Sequence, residues 1–158
     1  MQPYIVMTTT SETFDPSALS GLELLRAWMN RPTDAHPNIG TLIGMAPKSI
    51  DEGSVTFTVT PRPDFANPLG TVHGGICATL LDSVMGCAVH TTLPAGASYT
   101  TLELKINYIR TVAVDADELT ATGTVIHVGG RTATAEGKVY SADGKLVAHG
   151  STTCIVFR

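Results

Sequence analysis

The stretch His73-Gly74-Gly75-Ile76-Cys77-Ala78-Thr79-Leu80-Leu81-Asp82-Ser83-Val84-Met85-Gly86-Cys87-Ala88-Val89-His90 decides the fold. It is too long for an ordinary strand and apolar on nearly every side, so it reads as a helix that something larger than a neighbouring helix must bury. The flanking sequence supplies a sheet. Val55, Phe57 and Val59 alternate with Ser54, Thr56, Thr58 and Thr60 until Pro61-Arg62-Pro63 ends the run, and Leu102, Leu104 and Ile106 alternate with Thr101, Glu103, Lys105 and Asn107. Segments 119–128, 132–140 and 146–157 are rich in β-branched and small residues. Gly129-Gly130 and Asp143-Gly144 read as two-residue turns at positive φ, which makes the last three strands hairpin-linked and antiparallel. The order is strand, strand, long helix, then four strands as an antiparallel run. That is an α+β chain whose curved antiparallel sheet wraps around one long central helix. Ala121, Gly123, Ala133, Ala135, Gly137, Ala148 and Gly150 would let sheet and helix approach closely.

Upstream, Ser20 and Glu23 form an S-x-x-E capping box, and Leu22, Leu25, Trp28 and Met29 recur at helical spacing. A short N-terminal helix over 20–30 is expected, with a connector over 31–40 and a poorly ordered tail over 1–16. It covers either a pocket or the outer face of the sheet. The main domain is expected over 41–158. A chain of 158 residues, 43% hydrophobic, suffices for one such domain. Its most apolar segment, 76–89, is interrupted by Thr79, Asp82 and Ser83, so no helix is expected to span a membrane. A net charge of -4 with scattered basic residues argues against nucleic acid as a partner. Cys77, Cys87 and Cys154 form no CxxC pair and lie in apolar stretches, and residues 1–13 have no features of a signal or transit peptide. A reducing, cytoplasmic setting is expected.

Asp82 is the odd residue of the central helix, a carboxylate among apolar neighbours that is either satisfied by Ser83, Thr79 or a cross-sheet hydroxyl or held ready for chemistry. It shares a stripe with Gly75, Ala78, Thr79 and Gly86, which leaves room for a ligand or a second helix. His73-Gly74-Gly75 opens the helix, where free N–H groups and the positive dipole end can receive an oxyanion. Asn67 can offer an amide to the same place, or serve the turn before Pro68. Gly74 and Asp82 are eight residues apart, about 12 Å along one helix, so they cannot serve one carbonyl. If both act, Asp82 must come from a second subunit whose helix runs antiparallel, giving two equivalent sites per dimer. No metal site is expected, because His73, Cys77 and Asp82 do not share a face and the other histidines are dispersed.

Asn67-Pro68-x-Gly70-x-x-His73-Gly74-Gly75, Asp82 nine residues after His73, and Thr101-Leu-Glu-Leu-Lys-Ile-Asn-Tyr108 resemble the hotdog-fold acyl-CoA thioesterases of the phenylacetate-degradation (PaaI-like) family. The similarity spans about residues 41–157. The resemblance implies that the Gly74 N–H and the Asn67 amide hold the oxyanion and that the partner's Asp82 acts as general base or nucleophile. Thr101, or Thr100 if the register shifts by one, would orient the attacking water. His73 would position the loop or sit near the leaving thiolate. Thr111 stands where relatives often carry Pro. The family also implies a homo-oligomer, a dimer of dimers, with no cofactor beyond the coenzyme A of the substrate.

For coenzyme A itself, Gly75, Arg110, Arg131, Arg62 and Lys105 are candidate contacts, and Val128-Gly129-Gly130 can pass beside the pantetheine arm; each cation can equally be solvated surface. Two other functions fit the same pattern: a hotdog hydratase or dehydratase, with His73 reaching the α-carbon, and a non-catalytic acyl-CoA binding or sensing protein. If Asp82 must be ionised to act, hydrolysis falls on the acidic side. The acyl group is left open.

Overall fold

The computed structural model describes residues 15–30 and 37–158. Most of the expected tail therefore lies outside the described residues; at its end, Asp15 caps a 3-10 turn at Pro16–Ala18. No helix among the described residues is long and apolar enough to cross a membrane.

Six strands form one antiparallel sheet: β1 (Ala46–Asp51), β2 (Ser54–Val59), β3 (Ser98–Tyr108), β4 (Leu119–Val128), β5 (Thr132–Tyr140) and β6 (Leu146–Phe157), in spatial order β1-β2-β4-β5-β6-β3. Strands β4, β5 and β6 are hairpin-linked, as the sequence indicates. β3 does not continue that run beside β4. The helix between β2 and β3 carries the chain across the sheet to its far edge, where β3 pairs with β6, and 109–118 returns it so that β4 lies beside β2. The turns also differ from expectation. Neither Gly129 nor Gly130 has positive φ, and the Gly129 N–H closes the connection onto the Thr132 carbonyl at 2.8 Å. Gly144 does have φ 77°, but within a five-residue loop, 141–145, closed by Gly144 N–H to Ser141 O and Ser141 N–H to Lys145 O.

The central helix, α3 (Gly74–Thr91), follows two shorter ones, α1 (Gly21–Met29) and α2 (Ile39–Ile43). α2 replaces the last part of the expected connector. Asn38 and Thr41 cap it reciprocally, and Gly44 ends it in the left-handed region at φ 70°. In α3, Leu80, Leu81, Val84, Met85, Ala88 and Val89 are completely buried against Val55, Phe57, Leu119, Ala121, Ala135 and Val139. Glycine makes that approach possible. A Cβ at Gly123 would lie 2.4 Å from the Val84 carbonyl, and one at Gly137 would lie 2.9 Å from Met85 Cγ. This is the hotdog arrangement, a curved sheet around one helix.

α1 does not lie on the outer face of the sheet. Its Gly21 N–H donates to Leu93 O at 3.0 Å beyond the end of α3, Leu25 is buried, and Trp28 meets the inward-facing Phe57 at 6.2 Å between centroids. Both halves of the expected capping box are present: Ser20 Oγ accepts the Glu23 N–H at 3.3 Å, and Glu23 Oε2 accepts the Ser20 N–H at 2.9 Å. Ser20→Ala should therefore cost about 1 kcal/mol in chemical denaturation. An unchanged midpoint would show that tertiary packing alone holds α1.

Candidate active site

Asp82 is half-buried on the face of α3 that looks toward β3, and Thr101 Oγ1 donates to its Oδ1 at 2.9 Å. The cross-sheet hydroxyl is thus its partner, because Thr79 is spent on the Gly75 carbonyl at 3.0 Å. Thr100 is exposed, so of the two candidate threonines it is Thr101 whose hydroxyl meets Asp82. The strand shifts register between Thr101 and Glu103, a bulge of the kind that re-aims a side chain. With its hydrogen given to Asp82, the Thr101 oxygen can accept from a water lying beside the carboxylate.

Two residues further back on β3, Tyr99 lies across Gly86, where a Cβ would fall 2.8 Å from the phenol oxygen, and its ring meets His90 at 5.4 Å. Burial pushes the Cys87 thiol up to about 12 and raises the Tyr99 phenol as well, the negative charge of Asp82 adding to both. Both stay neutral, so Cys87 is no nucleophile. Burial also lowers His90. In the sequence Tyr99 carries no signal of its own, and Gly86 opposite it is the only trace.

The second group of residues gathers at the start of α3, where a cleft of about 270 Å³ is lined by Asn67, Thr71, Gly74, Tyr108 and Arg110, among others. His73 is the N-cap, its Nδ1 accepting the Gly75 N–H at 2.9 Å, and the Ile76 N–H goes to His73 O at 3.0 Å. The Gly74 N–H has no acceptor among the described residues. Asn67 does serve its own turn: Oδ1 accepts from the Leu69 and Thr71 N–H groups at 2.9 and 3.2 Å, and Nδ2 donates to Thr71 Oγ1 at 2.9 Å. One amide hydrogen remains for a ligand. Tyr108, the last residue of the Thr101–Tyr108 motif, lies 3.1 Å from where a Gly74 Cβ would be and forms a wall of the cleft.

The candidate coenzyme A contacts divide. Arg110 lines the cleft but donates to Leu146 O at 2.6 Å. Arg62 is structural, bound to Asp64 at 2.7 Å, to Leu42 O at 2.7 Å and stacked over Phe65. Arg131 is exposed beside Gly129 and Gly130, whose carbonyls receive the Arg158 guanidinium, a contact with no signal in the sequence pattern. Lys105 is exposed on β3. Val128, Ala133, Cys154 and Thr101 form one row across β4, β5, β6 and β3. Val128 is thus about 14 Å from Thr101, and the 129–131 loop lies at the opposite end of the strands from the Gly74 cleft.

Asp82 with Thr101 and Gly74 with Asn67 therefore form two separate groups along an unbroken helix. A family model described as Thioesterase superfamily matches residues 69–148, which include Gly74, Asp82 and Thr101 but not Asn67. The chain belongs to the thioesterase superfamily. It is 31% identical over 114 residues to acyl-coenzyme A thioesterase 13 of Homo sapiens, covering 72% of this chain and 76% of that relative. Among solved structures, it is 29% identical to a phenylacetic acid degradation-related protein of Ralstonia eutropha, with a TM-score of 0.72 over 87% of this chain and 99% of that one. A Streptococcus mutans protein solved bound to acetyl CoA gives a TM-score of 0.66 at 26% identity, over 72% of this chain and 88% of that one. This member of the superfamily has an acid, a hydroxyl and an unpartnered first N–H of α3 on the elements the family match spans.

Proposed function

We propose that this thioesterase-family chain hydrolyses acyl-CoA thioesters at two equivalent sites, each shared between the subunits of a homodimer. The observation that carries this reading is the pair of half-sites: Thr101 Oγ1 on Asp82 Oδ1 at one point of α3, and an unpartnered Gly74 N–H two turns away on the same helix. The rise of about 12 Å between them is too long for one thioester carbonyl and suits two antiparallel helices. Among the described residues β3 is a free edge of 11 residues with Leu102 60% exposed, the kind of edge that a second copy covers. Antiparallel pairing of two such edges would bring the Thr101 end of one strand toward the partner's Tyr108 end, and so Asp82 toward the cleft at Gly74.

In such a site the Gly74 N–H and the remaining Asn67 amide hydrogen polarise the thioester carbonyl and stabilise the oxyanion. A water donating one hydrogen to Thr101 Oγ1 attacks the carbonyl carbon while Asp82 takes its other proton. The C–S bond then breaks, the tetrahedral oxyanion returns to the carbonyl of the free acid, and the departing thiolate receives the proton held on Asp82 by way of solvent, which gives coenzyme A and restores the carboxylate. Direct attack by the Asp82 carboxylate, with water hydrolysing the resulting anhydride, uses the same residues. Arg110, Arg131 and the 128–130 backbone are the contacts we assign to coenzyme A, with no other cofactor, and a dimer of dimers is the assembly we favour. The free cysteines fit a cytoplasmic setting.

The test is release of free thiol from a panel of acyl-CoA thioesters, followed with the oligomeric state. Turnover by a dimeric or tetrameric wild type supports the reading, and binding without turnover moves it to a sensing protein. Leu102→Lys, a charge on the free edge, should give monomers that fold but lose activity by about 10-fold or more. An active monomer would overturn the shared site.

A further inference from the structure

The start of α3 has two oddities that hydrolysis does not require: an imidazole at the N-cap, where Ser, Thr, Asp or Asn is the usual choice, and a second glycine inside the first turn, where glycine is a poor helix former. Each accounts for the other. His73 Nδ1 accepts the Gly75 N–H at 2.9 Å, and a Cβ on residue 75 would lie 2.9 Å from that same nitrogen. Glycine at 75 therefore clears the seat of the imidazole. The peptide unit joining His73 to Gly74 is held from both directions as a result: its carbonyl accepts the Ile76 N–H at 3.0 Å, and the side chain of His73 reaches past Gly74 to Gly75. The N–H of that peptide is the unpartnered one.

We propose that His73 and Gly75 form a lock whose purpose is to aim the Gly74 N–H, so that His73 is a positioning residue that acts on the thioester oxygen only through Gly74. This rests on the hydrolase reading above. A donor set in advance is worth most where negative charge develops, so loosening it lowers kcat more than it raises KM. An acid that protonates the leaving thiolate, the other role open to an imidazole, would need a transferable proton, which an asparagine lacks.

The experiment compares His73→Ala, His73→Asn, Gly75→Ala and the double variant His73→Ala with Gly75→Ala, each in the full chain, by thiol release and by urea unfolding. Asparagine is a good N-cap and can accept the same bond. His73→Ala should lower kcat about 10-fold with KM changed much less, as for an oxyanion donor that is misaimed rather than removed. His73→Asn should restore kcat to within about threefold. Gly75→Ala should harm the wild type and add little once the imidazole is gone, in kcat and in the urea midpoint alike. His73→Asn as slow as His73→Ala, or additive effects at 73 and 75, would overturn the lock. A wild type that releases no thiol would sink the hydrolase reading and the aiming role with it, whereas the urea midpoints would still decide, separately, whether 73 and 75 are coupled.

Discussion

Asp82→Asn should leave a folded oligomer whose release of thiol from acyl-CoA is lower by about 10³-fold, within the range that general acid and base groups contribute. The substitution is a mild one structurally. An Asn Oδ1 can still accept from Thr101 Oγ1, now at 2.9 Å, and fills the same half-buried volume. What it cannot do is take a proton from water or attack a carbonyl carbon. Because kcat is lost while the neighbouring contacts persist, KM should change far less than kcat. A folded Asp82→Asn oligomer with wild-type turnover would remove Asp82 from the chemistry.

The second large effect is on the fold. Gly123→Val should destabilise the protein by at least about 3 kcal/mol, because an added Cβ would stand 2.4 Å from the Val84 carbonyl carbon and oxygen and 2.6 Å from the Met85 nitrogen. These are backbone atoms in the middle of α3 and cannot turn aside as the tip of a side chain can. Valine is the better strand residue, so local propensity favours the substitution and the close approach of helix to sheet opposes it. Gly130 is the contrast: it has neither positive φ nor any atom within 4 Å of an added Cβ, so Gly130→Ala should stay within about 0.5 kcal/mol of the wild type. Chemical denaturation of both variants makes the comparison, and equal midpoints would contradict the packing described for Gly123.

The helix and its seat were legible in the sequence because they depend on local pattern. A long helix that is apolar on most of its sides needs a sheet to bury it, and the glycines and alanines of β4 and β5 announce a close neighbour. The position of β3 was not legible, since which strand it joins is decided by where α3 delivers the chain and not by alternation within the strand. α2, at five residues, is too short to show a helical period. In the site, Asp82 and Gly74 stood out as breaks in pattern, but the choice between Thr100 and Thr101 waited on a bulge, which leaves no mark on composition. Asn67 carried two readings and the structure uses it for its turn while leaving one hydrogen free. Tyr99 and Tyr108 look like ordinary strand aromatics, and only the glycines opposite them, Gly86 and Gly74, hint that something lies there.

The shared site is tested most directly by mixing two inactive variants. Gly74→Pro removes the N–H at the first position of α3, where proline is tolerated, and the ψ of 134° at His73 suits a residue before proline. Asp82→Asn removes the acid. Each homodimer alone should be close to inactive. Coexpressed with different tags, half of the dimers at random assortment are hybrids, and each hybrid pairs an intact Gly74 from one subunit with an intact Asp82 from the other at one of its two sites, so activity should return to about a quarter of wild type. Hybrid dimers as inactive as their parents would mean that Gly74 and Asp82 do not meet across the interface.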